Sequence, residues 1–432
     1  MKVRGILQSI RGFVPDIPYI EEEKEDVEFS MEADENEKVI TQSPNGEINI
    51  LTANSKEVEE KFSAFIDGTY RTAKIGYLYG IPVYVSNISA ALLIRDDNGY
   101  LKDFGHIKNL FVLLYPFESI YQYANMIKED QQMAEDILRF KEKFIEHYQA
   151  KEDCEIRRDT LRVLTQHDDP NMWIIGDISY LGLDCKKREN SELDIPPNEV
   201  FNLGKISKKV RARTRVLMGI LEATYLRAYR EEYWNNNWVL MDGTLNYAYK
   251  FSLDKKNESE KFEEYFIKTV GFVKTIRRRV FATDVKKFSK LLSMKEGEYI
   301  ITLGIKNDTE ELELKELGED TQIGRAKWGF IYMRFRFPKY LLSNEQASTV
   351  FTPKGIIKAQ FYIPNTLEGN NIIEHAFEKG ITIANMLSYE RFPFPSDKRR
   401  LWNETLAIEE TEKVAKSRLM SKEYLEHLGK VL

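Results

Sequence analysis

The sequence predicts a mixed α/β protein, and three observations carry that expectation. Dense runs of β-branched and aromatic residues, broken by turn residues, fill positions 62–94. Apolar residues at three- and four-residue spacing mark Glu118 to Ala150 and Lys205 to Trp234 as helical. Beyond these, short apolar runs of strand length alternate with helical stretches to the C-terminus.

Taken in order, Glu47 to Leu51 reads as a short edge strand. Phe62 to Ile66 is a strand ending in Asp67-Gly68-Thr69, followed by runs over Ile75 to Tyr79 and Ile81 to Ile94. Gly80-Ile81-Pro82 and Asp96-Asp97-Asn98-Gly99 supply turns, so an antiparallel set is expected. Helices are expected over Glu118 to Ala150 and Cys154 to Thr165, a buried strand at Trp173 to Ile175, and a loop over Glu189 to Phe201. The long helix Lys205 to Trp234 precedes a strand, Trp238 to Met241, that again ends in Asp-Gly-Thr, Asp242-Gly243-Thr244. Then come a helix (Glu260 to Lys268), a strand (Thr269 to Lys274) and a helix (Asp284 to Leu292). Strands at Tyr299 to Leu303, Trp328 to Phe337 and Ile356 to Tyr362 follow, with closing helices near Asn371 to Leu387 and Leu401 to Leu428.

The 432 residues allow two or three domains, and 42% hydrophobic with 31% charged residues is a globular balance, which excludes a largely disordered chain. The net charge of −6 excludes a uniformly basic nucleic-acid module but leaves room for a basic cleft in an acidic shell. Between Glu21 and Glu37 stand ten acidic residues and one Lys24, the composition of a solvated linker or of an acidic arm for a basic partner. Two cysteines, Cys154 and Cys185, without metal-ligand spacing lead to neither a structural zinc site nor a disulfide framework, and to a cytoplasmic home. Met1 to Ile20 lacks a long apolar core and no window is long enough to span a membrane, so no signal peptide or membrane partner is expected.

The chemistry centres on the doubled Asp-Gly-Thr. A carboxylate at the end of a buried strand sits where ligands collect, and two such strands side by side would bracket a divalent metal at Asp67 and Asp242. Each dipeptide is also an ordinary turn. The helix between them carries eight basic residues and one acid, Glu222, from Lys205 to Arg230. Glu222 shares a face with Arg215 and Tyr229; it is either an internal ion-pair partner of Arg211 or Arg215, or a third metal carboxylate with the arginines turned to phosphates. Three carboxylates with Mn²⁺ or Mg²⁺ suit in-line phosphodiester hydrolysis, which needs no cysteine or histidine, and the five histidines are scattered. Lys274 ends the strand after the second carboxylate, and Arg277, Arg278 and Arg279 follow as a basic run or a solvated face. Arg334 and Arg336 alternate with Tyr332, Phe335 and Phe337 in a pattern suited to holding a sugar–phosphate backbone. P-loop, dinucleotide and Gly-x-Ser-x-Gly motifs are absent.

The order of these parts, Asp67-Gly68-Thr69, Leu221-Glu222-Ala223, Trp238 to Leu245, Gly271-Phe272-Val273-Lys274 and Arg391-Phe392-Pro393-Phe394-Pro395, resembles the NurA nuclease family over about residues 60–415. The resemblance implies an RNase H-like mixed sheet flanked by helices, with a helical insertion and additional strands. It implies catalytic Asp67, Glu222, Asp242 and Lys274, with the first three binding Mn²⁺ or Mg²⁺. DNA contacts are expected from Arg211, Arg215, Arg277, Arg334 and Arg336. It further implies a homodimer on a HerA-like hexameric ATPase, in DNA end processing or defence against phage. The expected division is 1–50 as an N-terminal segment with the acidic linker, 51–415 as the nuclease domain with its insertion at about 118–200, and 416–432 as a C-terminal helix. Where the family carries a tyrosine and a histidine near its C-terminus, this chain has Phe392 and Asn403-Glu404, with Tyr389 as the nearest substitute. A non-catalytic DNA-clamping adaptor of a hexameric translocase, and an RNA or hybrid nuclease on the same core, are the rival expectations.

Overall fold

Three short strands, β1 (Phe13–Val14), β2 (Glu37–Val39) and β3 (Leu51–Thr52), add to a sheet whose body is built by later residues. The computed structural model describes residues 13–14, 37–39, 48–56, 58–105, 108–126, 131–156, 171–180, 192–233, 237–245, 264–274, 285–304, 327–335, 355–364, 366–367, 370–391, 405–421 and 423–425.

The β-rich stretch folds as two long antiparallel strands, β4 (Phe62–Leu78) and β5 (Ile81–Arg95). Tyr79 and Gly80 join them with φ of 52° and 78°, the pair of positive values that a two-residue hairpin turn requires. β6 (Leu101–Asp103) and β7 (Asn109–Tyr115) pair with β5. Helices α1 (Phe117–Met126) and α2 (Gln131–Tyr148) then lead to β8 (Lys151–Glu152) and β9 (Asn171–Asp177), which extend the same sheet beside β7. The basic helix is α3 (Leu203–Tyr233), followed by β10 (Trp238–Asp242) and β11 (Thr269–Val273). After α4 (Val285–Ser293), strands β12 (Glu298–Gly304), β13 (Lys327–Arg334) and β14 (Ile356–Ile363) form an antiparallel meander. Helices α5 (Asn370–Glu390) and α6 (Leu406–Ser417) follow, and residues 423–425 are again helical.

Among the described residues, all 14 strands share one mixed sheet. At its centre the order is β7-β5-β4-β10-β11; β4, β5 and β7 alternate direction, whereas β10 and β11 run parallel to β4. Strand alternation divides the core in two. Ala64, Ile66, Val239 and Met241 pack with Leu217, Ile220 and Leu221 of α3, whereas Phe65, Leu240 and Phe272 pack with Ile383, Leu387 and Ile408 of α5 and α6. Each such buried side chain contributes roughly 1.5–3 kcal/mol, so truncating Leu221 or Leu240 threatens the fold before the chemistry.

Several expectations need correction. Asp67-Gly68-Thr69 is not a turn but lies inside β4, because β5 supplies ladder partners on both sides of it, from Ala64 to Lys74 without a break. The helix expected from Cys154 is a single 3-10 turn, Asp153–Glu155, that ends at Ile156; residues 157–165 lie outside the described residues. Cys154 is disulfide-bonded, whereas the sequence led to no disulfide framework; the other cysteine, Cys185, lies outside the described residues. The helix expected over Leu401 to Leu428 starts later, because Thr405 caps it by accepting from the Ile408 N–H at 3.2 Å, and it ends at Ser417 with Arg418 as its C-cap; residues 423–425 are helical again. Residues 21–36 of the acidic stretch lie outside the described residues. Among the described residues no helix is long and apolar enough to cross a membrane.

Candidate functional site

β4 and β10 run parallel with Ile66 opposite Met241, so the next residues of each strand, Asp67 and Asp242, are lateral neighbours about 4.8 Å apart at the backbone. Alternation puts both carboxylates on the face of Phe65 and Leu240, the face that α5 and α6 cover. Asp67 is only 2% exposed because β4 continues beyond it, whereas Asp242 ends β10. Gly243 turns the chain away with φ of 79°, and its N–H donates to the Phe272 carbonyl at 2.8 Å. A Cβ at Gly271 would lie 2.7 Å from the Gly243 carbonyl oxygen, which explains the glycine in Gly271-Phe272-Val273-Lys274.

Glu222 comes from α3, on the opposite face. A Cβ on Gly68 would stand 2.4 Å from Glu222 Oε1 and 2.7 Å from Met218 Cγ, so the missing side chain is the opening through which Glu222 reaches the sheet. Its carboxylate accepts from the Gly68 backbone N–H. At the end of β11, Lys274 Nζ lies 3.3 Å from Asp242 Oδ1.

The electrostatics tie these groups together. Burial, then the charge of Asp242, holds the Asp67 carboxyl well above its ordinary range; Lys274 opposes this, while Glu412 and Glu222 add to it. Burial and Asp242 push Glu222 up to about 8, against the Gly68 hydrogen bond. Asp67 Oδ2 is buried without a hydrogen-bond partner, a deficit of about 1–3 kcal/mol for a carboxylate oxygen. An all-oxygen donor set with excess negative charge and an orphaned oxygen fits a hard divalent cation. The carboxylates are not a finished cage: among the described residues no three His, Cys, Asp or Glu side chains form a ready metal-binding group. Lys274 engages Asp242 and the Gly68 N–H engages Glu222 from the opposite face.

Of the expected phosphate contacts, Arg211 and Arg215 are half-buried on α3, and Glu222 forms no ion pair with either among the described residues. Arg215 precedes Glu222 by two turns, about 10 Å along the helix. Arg334 is a correction. It is 1% exposed and donates from Nε to the Met294 carbonyl at 3.2 Å and from Nη2 to the Leu292 carbonyl at 2.7 Å. Both faces of β13 are covered here, so its alternating pattern does not present a basic surface; burial also lowers Arg334 to about 10. Arg277 and Arg336, with Arg278 and Arg279, lie outside the described residues, as do Phe392 and Asn403-Glu404. Tyr389 is exposed, with Lys61 Nζ 4.5 Å above its ring.

Sequence reading missed Glu412. It lies in the acidic run Glu409-Glu410-Thr411-Glu412, which reads as a solvated helix face, and only the 408, 412, 415 spacing hinted that it belongs to the packed stripe. No family model matches this chain, and no curated protein matches its sequence.

Proposed function

We propose that this chain is a divalent-cation-dependent DNA nuclease. One observation carries the reading: Asp67 and Asp242, from separate parts of the chain, meet on adjacent parallel strands while Glu222 reaches the same level over Gly68. Asp67, Asp242 and Glu222 would hold Mn²⁺ or Mg²⁺, which supplies an activated water and charge stabilisation for phosphodiester hydrolysis. Lys274 is placed beside Asp242 to meet the negative charge of a phosphate oxygen, and Arg211 and Arg215 extend positive charge along α3. The strand order of the central sheet, third-second-first-fourth-fifth with the last two parallel to the first, supports an RNase H-like core. The resemblance to the NurA family extends the proposal to a homodimer seated on a HerA-like hexameric ATPase.

The test is cleavage of labelled DNA by the full chain with Mn²⁺. Cleavage that stops in EDTA and in Asp67→Asn and Asp242→Asn supports the reading; cleavage that persists in either condition defeats it. DNA binding without any carboxylate-dependent cleavage would move the protein to the adaptor class. Matched RNA oligonucleotides decide the sugar preference.

A further inference from the structure

We infer that Arg418, the C-cap of α6, is a positioning residue for Glu222: its guanidinium passes through the sheet to α3 and fixes where that helix presents the carboxylate. The inference rests on the reading of Glu222 as a metal carboxylate. α3 and α6 lie on opposite faces of the sheet. α3 packs with Ile66, Val239 and Met241, whereas Ile408 of α6 packs with Phe65 and Leu240. Between them runs the hydrogen-bonded ladder β10-β4-β5, which closes the sheet to side chains. On the side of β5 away from β4 the ladder has a gap. β7 pairs with Tyr84 to Ile88 and β6 with Leu93 to Arg95, so among the described residues Ser89, Ala90 and Ala91 have strand partners on β4 alone.

Arg418 fills that gap. Its Nη1 donates to the Ala90 carbonyl at 2.7 Å and to the Tyr225 hydroxyl of α3 at 2.9 Å. Its Nη2 donates to Asp103 Oδ1 at 2.7 Å and Oδ2 at 2.5 Å, at the end of β6, and to the Gly105 carbonyl at 3.4 Å. The Tyr225 hydroxyl in turn donates to the Gly105 carbonyl at 3.4 Å. The backbone around Arg418 is held as firmly. Asn109 Nδ2 donates to the Arg418 carbonyl at 2.6 Å, and the Met420 N–H donates to Asn87 Oδ1 at 2.8 Å. The side chain is 11% exposed, so these bonds are largely shielded from water. A guanidinium suits the place because its planar fork carries five donors in fixed directions, whereas a lysine ammonium has three.

The level of these contacts is that of the carboxylate. Ala90 is the ladder partner of Gly68, whose N–H donates to Glu222. Tyr225 follows Glu222 by three residues, so the two stand on adjoining turns of one flank of α3, and both are buried. Thr214, bonded to Ser86 at 2.9 Å, and Arg230, bonded to Thr269 Oγ1 at 3.0 Å, tie α3 to the sheet eight residues to either side, about 12 Å away along the helix. Arg418 holds the middle, where the carboxylate has to be placed. Residues that orient a metal ligand from behind are worth about 10- to 100-fold in metal affinity.

The experiment is calorimetric titration of the full chain with Mn²⁺, comparing the parent with Arg418→Gln, Arg418→Lys and Tyr225→Phe, each made also in a Glu222→Gln background. Arg418→Gln is expected to weaken Mn²⁺ affinity about tenfold, with partial recovery in Arg418→Lys. Tyr225→Phe keeps the packed ring and loses only the hydroxyl, so a loss of roughly threefold is expected. In the Glu222→Gln background the same substitutions should change affinity by less than about twofold, since there is no carboxylate left to place. A merely structural Arg418 would lower the melting temperature in EDTA in both backgrounds and shift affinity in neither, or equally in both. Either result, in a parent that binds Mn²⁺ through Glu222, overturns this inference alone. Should Arg418→Gln fail to fold, the Tyr225→Phe pair decides on the same criterion. A parent with no carboxylate-dependent Mn²⁺ binding overturns it together with the nuclease reading.

Discussion

Asp67-Gly68-Thr69 and Asp242-Gly243-Thr244 are the same tripeptide on adjacent parallel strands, yet they are built differently. The first stays in the ladder as β4 runs on to Leu78; the second leaves it, because β10 stops at Asp242 and Gly243 adopts φ of 79°. Gly68 is needed for space, since a Cβ there would collide with Glu222 and Met218. Gly243 is needed for its backbone angle, with nothing within 4 Å of the place a Cβ would take. The difference teaches that a carboxylate pair can be aligned without alike backbones: the strand register sets the aspartates side by side, and each glycine solves a separate local problem.

Four experiments break or sharpen that comparison. The largest effect is expected from the carboxylates, which should behave alike despite their unlike backbones. Asp67→Asn and Asp242→Asn should each reduce Mn²⁺-dependent DNA cleavage by about 10³-fold, the loss of several kcal/mol of charge stabilisation. A much smaller loss in one would show that the pair is not a unit. Next, Gly68→Ala should push Glu222 from its place, lowering Mn²⁺ affinity by roughly 10- to 100-fold and stability by about 1–3 kcal/mol, measured by titration and denaturant melts.

Gly243→Ala should act on stability alone, costing about 1–2 kcal/mol for a left-handed residue, while Mn²⁺ affinity changes little. Gly243→Asn should recover part of that loss, because asparagine tolerates this angle, whereas Gly68→Asn should be worse than Gly68→Ala. Equal tolerance at the two positions would erase the distinction between room and angle.

The smallest effect is a slope. Glu222 titrates near 8 in the folded protein against 4.5 for the ordinary group, so between these values the folded state binds more protons than the unfolded one. The melting temperature in EDTA should fall as pH rises through this window and level off above about 8. Asp67, raised by burial and Asp242, adds in the same direction. Mn²⁺ competes with those protons, so its affinity should climb over the same range; Glu222→Gln should flatten both curves.

Much of this molecule was readable from local pattern. The period of apolar residues placed α3, β5, β9, β10, β11 and β14 within a few residues, and it flagged Glu222 as the lone acid of a basic helix segment. The pattern failed where a second element decided the outcome. Nothing local to residues 62–78 says that a turn tripeptide will be held straight, because the cause is β5 pairing along its length. Arg334 sits in the same alternating basic and aromatic run as Arg336, but Leu292 and Met294 close over it and take its donors. Glu412 looks like Glu410 in sequence, yet its side chain is 15% exposed against 41%, because it lies beside the buried stripe of α6.

The sequence by itself determined which segments become strands and helices, and it carried the acids that the proposed chemistry uses, because these follow from side-chain period and residue type. Tertiary structure alone decided that Asp67 and Asp242 stand side by side and that Arg334 is enclosed. Those outcomes depend on strand register and on which surface is covered, and both are set by contacts between residues far apart in the chain.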